Sequence, residues 1–119
     1  MSNKVHSAEY YKQFLLKIYQ CKEPFELLVI NKRPKTKSGC YVLHLRRIRI
    51  YSGWSFALPL EDIAIHEYAH HIHNTEKGGI FGRGRERAHG EIFWRIYSAL
   101  RAKAIQKGLF DDDLIDGII

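Results

Sequence analysis

The chain has 119 residues, 45% hydrophobic and 13% aromatic, with a formal net charge of +6. That is enough apolar material for one domain, residues 1–119, with a core of its own, and it excludes a disordered, collagen-like or low-complexity polymer. No run approaches the roughly 20 apolar residues of a membrane-spanning helix, and MSNKVHSAEYYKQF lacks the apolar centre of a secretion signal, so a cytoplasmic setting without membrane contact is expected.

Ser7 is a candidate N-cap for a first helix over 7–20, in which Tyr11, Phe14, Leu15 and Ile18 recur at spacings of three and four. Cys21 and Cys40 stand alone with no CxxC pair, which reads as two free thiols in a reducing compartment. ELLVI (26–30) and YVLHL (41–45) are β-rich runs separated by a basic segment with Pro34, Ser38 and Gly39, which predicts two strands joined by a basic loop. IRIYSG (48–53) continues the strand pattern. The apolar alternation slips at Arg46 and Arg47, which places a bulge or turn there.

From Pro59 the period becomes helical. Pro59 suits a first turn, Glu61 and Asp62 suit the positive end of a helix, and the helix is expected to run to about residue 74. NTEKGGIFGRGRER (74–87), with four glycines, fits neither a regular helix nor a buried strand and is expected to form a rim over a cleft. A further helix is predicted from about Glu86 to Lys107, before Gly108. The expected class is α+β: an N-terminal helix, a small mainly antiparallel sheet, then two packed helices.

HEYAHHIHN (66–74) puts four histidines and a glutamate into nine positions. On a helix, His66 and His70 lie one turn apart on one side, where two imidazoles can reach one zinc ion at about 2.0–2.1 Å each, and Glu67 lies a quarter-turn round, near a zinc-activated water. Ile65, Ala69 and Ile72 form the neighbouring core-facing stripe. His73 stands about 10 Å along the axis from His66, too far to share the ion, and is expected along the cleft. His71 points elsewhere on the wheel, towards the surface or a partner. A metzincin layout would need glycine at 73 and histidine at 76, where the chain has His73 and Glu76, so that layout fails unless Glu76 substitutes.

The third ligand must come from another element. His89 shares a helical face with Phe93, Ile96 and Leu100 and begins the side that packs inward, whereas Glu91 lies opposite and faces solvent. His89 is therefore the expected third ligand. Gly90 suits a turn that approaches the metal helix closely.

HEYAH (66–70) followed by HGEIFW (89–94), with IRIYSG before the metal helix, resembles the SprT-like zinc metallopeptidases over roughly residues 8–107. The HExxH pentapeptide is common to many peptidases; its pairing with HGxxF or HGxxW some twenty residues later is more specific. The resemblance implies a minimal protease core without a zinc ribbon, with one Zn2+ on His66, His70 and His89 and Glu67 as the catalytic general base. It also implies a peptide substrate, in some relatives a protein bound to DNA. The basic residues Lys32, Arg33, Lys35, Lys37, Arg46, Arg47, Arg83, Arg85 and Arg87 are candidate contacts to DNA or RNA. Tyr51, His73, Tyr97 and the three arginines at 83, 85 and 87 are candidate oxyanion donors, and the strand at 48–51 is a candidate for edge pairing with substrate. Two alternatives stay open: a non-peptidase metal hydrolase, and a basic nucleic-acid-binding module with a structural metal.

Overall fold

The computed structural model describes residues 4–76 and 89–110. Helix α1 spans Ala8–Ile18, and Ser7 caps it as the sequence predicts, its Oγ accepting from the Tyr10 amide at 3.1 Å. Its buried face is Tyr11, Phe14, Leu15 and Ile18, the four residues picked out by the spacing. Three strands follow, β1 (Glu26–Ile30), β2 (Gly39–Val42) and β3 (Arg47–Tyr51), then helices α2 (Leu60–Glu76) and α3 (Glu91–Gln106). The class is α+β.

The sheet is mixed, in the order β1-β3-β2. β1 and β2 do not pair with each other. β3 lies between them, parallel to β1 with Leu27 opposite Ile48, and antiparallel to β2 with Tyr41 opposite Ile48. The order follows from burial: Ile48 and Ile50 are fully buried, which requires strands on both sides and a helix above, while the short β2 stays half-exposed at an edge. The slip in alternation is a turn. A 3-10 segment at Leu43–Leu45 leads to Arg46 in the left-handed region at φ 49°, which reverses the chain from β2 into β3.

Helix α2 packs against α1, α3 and the inner face of β2 and β3, so its Leu60, Ile63, Ala64, Ile65, Tyr68, Ala69 and Ile72 all enter the core. Its C-terminal end is tied to the α1–β1 connection. The Glu76 carboxylate accepts from the Tyr19 hydroxyl at 2.6 Å and the Lys22 amide at 2.9 Å, and the Tyr68 hydroxyl donates to the Tyr19 carbonyl. Glu76 is thus occupied away from the histidine side, which closes the metzincin-like option. Within the described residues α3 begins at Glu91 behind the N-cap Gly90, later than the expected Glu86, which lies outside them. No helix among the described residues is long and apolar enough to cross a membrane.

Candidate metal centre

The regular α2 backbone puts His66 and His70 on the side facing α3, and the turn before α3 brings His89 to meet them. Nε2 of His89 lies 3.3 Å from Nε2 of His66 and 3.0 Å from Nε2 of His70. One ligand atom from each of the three falls within 4.8 Å of the others. An ion bonded at about 2.0–2.1 Å to tetrahedrally placed nitrogens separates them by about 3.3–3.4 Å, so the observed spacings fit a single small ion. His89 is not on the helix, as the wheel would have it. It sits one residue ahead of the cap and is the exposed member of the three.

Aromatic rings from the first turns of α3 enclose the cluster. Phe93, fully buried, stacks on His70 at 4.3 Å and meets His66 edge-on at 5.0 Å; Trp94 and Tyr97 lie 6.0 and 5.7 Å from His66. This shell removes water from the imidazoles and disfavours their cationic forms. Burial, reinforced by His66 and then His89, pushes His70 down to about 3; burial and the neighbouring His89 also lower His66. Both rings are therefore neutral near pH 7, the form that binds a metal.

Glu67 is 6% exposed, and burial alone pushes its carboxyl up to about 8. It shares with the three histidines the wall of a cavity of about 550 Å³, closed on the opposite side by Thr36–Tyr41 and Leu58. Gly39 of β2 makes this closeness feasible, because a Cβ there would stand 2.7 Å from Ile63 Cγ2 and 3.3 Å from Glu67 Cγ. Asp62, one turn before His66, also faces the cavity; it accepts from the Tyr97 hydroxyl at 2.7 Å and pairs with Arg101 at 3.5 Å. Burial and that hydrogen bond raise the Tyr97 phenol. The position of Asp62, four residues before His66, was the sequence signal for it; the role of Gly39 had none.

Other expectations are corrected. His71 is fully buried, not at the surface, and His73 is fully buried and absent from the cavity wall, because α2 is covered on nearly every side. β3 is the central strand and offers no edge; the edge beside the site is β2. Tyr51 alternates with the inward Ile50, lies 3.8 Å from the Cys40 Sγ, and is not on the cavity wall. Glu91 faces solvent as expected, paired with Arg95 at 2.5 Å. Of the basic residues, Arg46 and Arg47 pair with Glu23 and Glu26 at 2.7 and 2.9 Å. Lys32, Arg33, Lys35 and Lys37 are exposed, Arg33 lying over Trp54 and Phe56, while Arg83, Arg85 and Arg87 fall outside the described residues.

No protein-family model and no curated protein matches the chain. Among solved structures, the metallopeptidase zymogen of Methanocaldococcus jannaschii, jannalysin, is similar at a TM-score of 0.47 and 17% identity, covering 87% of this chain and 98% of that one.

Proposed function

We propose that the chain is a zinc-dependent peptidase of the SprT-like kind, with His66, His70 and His89 holding one zinc ion and Glu67 as general base. The observation that carries this reading is the meeting of three imidazole nitrogens at 3.0 and 3.3 Å beside a buried glutamate, on the wall of one open cavity. Three histidines leave a fourth position of a tetrahedral site for water. When bound, the ion supplies Lewis acidity, acidifying water and polarising a carbonyl oxygen. Glu67, whose carboxylate form a cation held by the three histidines would favour, would take the proton of the attacking water and deliver it to the leaving amine nitrogen as the peptide C–N bond breaks. An extended peptide would lie along the edge of β2 that is unpaired among the described residues, where backbone groups can pair with it. Among the described candidates for an oxyanion donor, Tyr97 stands on the cavity wall.

The test is a pair of variants. Glu67→Gln keeps stoichiometric zinc by elemental analysis and loses casein hydrolysis by about 10²–10⁴-fold. His89→Ala loses the zinc. A glutamine variant as active as wild type removes the base assignment, and full zinc in His89→Ala removes the third ligand. The exposed Lys32, Arg33, Lys35 and Lys37, the last of them on the cavity wall, favour substrates that carry nucleic acid, and salt-dependent binding of a DNA oligonucleotide, lost on neutralising these four, tests that part.

A further inference from the structure

We propose that Tyr41 and His71 form a positioning link, resting on the peptidase reading, that fixes the edge strand β2 at the height an extended substrate requires. His71 follows the ligand His70 on α2, is fully buried, and has both ring nitrogens engaged. Nε2 lies 2.8 Å from the Glu23 carbonyl and Nδ1 lies 2.7 Å from the Tyr41 hydroxyl. A carbonyl only accepts, so Nε2 carries the proton. Nδ1 of the neutral ring is then the acceptor, and the Tyr41 hydroxyl donates to it. The surroundings select one tautomer. Phe25, with its centroid 5.3 Å away, and Tyr68, stacked at 6.3 Å, hold the ring in place.

Tyr41 sits on the short strand whose other edge is unpaired among the described residues and which lines the metal cavity. Two residues earlier on the same face, Gly39 rests against Ile63 and Glu67. The strand is therefore held to the metal helix at two successive inward positions, once by a missing side chain and once by a hydroxyl. A backbone edge delivers its hydrogen bonds to an added strand only at fixed spacing, and a shift of about 1 Å in such groups can cost on the order of 10² in rate. Removing the Tyr41 hydroxyl frees the strand at that point and leaves the three histidines and Glu67 in place.

The experiment compares zinc-loaded wild type and Tyr41→Phe on two peptide substrates of the same scissile sequence. One is a dipeptide derivative too short to pair with β2; the other is an octapeptide that spans it. The expected result is a roughly tenfold fall in the ratio of octapeptide to dipeptide kcat/KM, carried by KM of the octapeptide, with zinc content retained. A purely structural hydroxyl lowers thermal stability and leaves that ratio unchanged, which overturns the proposal. In parallel, binding of the labelled octapeptide to Glu67→Gln protein, with and without Tyr41→Phe, is followed by fluorescence anisotropy. Weakening on Tyr41→Phe supports the link even where wild type cleaves nothing, an outcome that sinks the peptidase reading alone. Equal binding by both proteins, or none by either, sinks the link.

Discussion

A single methyl group at Gly39 tests the close approach of β2 to α2. An alanine Cβ there would lie 2.7 Å from Ile63 Cγ2, 2.9 Å from the Arg49 carbonyl oxygen and 3.3 Å from Glu67 Cγ. Carbon atoms pack best at about 3.5–4.0 Å, so the Ile63 contact is short by roughly 1 Å. The Arg49 carbonyl belongs to the central strand and cannot retreat, so β2 must move outward or Ile63 must leave its rotamer. Overpacking of this kind costs about 1–3 kcal/mol, against which the loss of glycine's freedom in the unfolded chain returns about 0.4–1 kcal/mol. The net is a destabilisation of about 1–2 kcal/mol, or a fall in Tm of roughly 4–8 °C for a chain of this size. Because Glu67 is one of the three atoms pressed, hydrolysis per folded molecule should fall as well, by about tenfold or more. Gly53→Ala is the control. Its Cβ would press on Lys32 and Arg33, with the Lys32 carbonyl oxygen at 2.5 Å, and not on Glu67, so it lowers Tm without that added loss per folded molecule. Thermal denaturation followed by circular dichroism, with peptide hydrolysis on the zinc-loaded protein, reads both effects. A Gly39→Ala protein within about 1 °C of wild type and equally active would refute the close approach of β2 to α2.

In metal-free protein, His66, His70 and His71 all have their pKa lowered by burial, so the unfolded chain binds protons first as pH falls. Stability is held above pH 6.5 and lost below it, at up to about 1.4 kcal/mol per pH unit for His70, until about 3; urea midpoints of Glu67→Gln protein, which lacks the opposing carboxyl, should fall from pH 7 to 4.5 in chelator, and a flat profile in that variant would contradict the burial of these rings. Glu67 runs the other way. Its raised carboxyl contributes stability in full below about 4.5 that is lost as pH rises through 8, so Glu67→Gln should raise the urea midpoint of metal-free protein at pH 7.5, by on the order of 2 kcal/mol, and leave it little changed at pH 4.5. Phe93→Ala removes a fully buried ring that backs His70 and should cost about 3–5 kcal/mol by denaturant titration, with zinc affinity falling in the same variant; loss of neither would mean the ring does not support the site.

Periodicity was sufficient for the local elements. The spacing of Tyr11, Phe14, Leu15 and Ile18, the cap at Ser7 and the HExxH spacing of His66, Glu67 and His70 are short-range facts, fixed by 3.6 residues per turn whatever else surrounds them. Even the turn at Arg46 was visible as a slip in alternation. His89 was reachable because it opens the run carrying Phe93 and Leu100, two residues that the core buries.

Tertiary packing decided the rest. Which strand takes the centre depends on which inward residues find cover on both sides, so β3 became the middle strand and β2, not β3, became the edge beside the cavity. A helical wheel shows direction but not what stands there, and so His71 and His73 read as surface or cleft residues until α1, α3 and the sheet closed round α2. The partnership of His71 with Tyr41, thirty residues away, and the bare Gly39 beneath Glu67 have no local signature at all. By itself the sequence determined which residues can ligate and on what local frame. Only the packing of α2 against a turn, a helix and an edge strand brought His89 within 3.3 Å of both other imidazoles and buried a glutamate beside them, because long-range distances depend on the whole core.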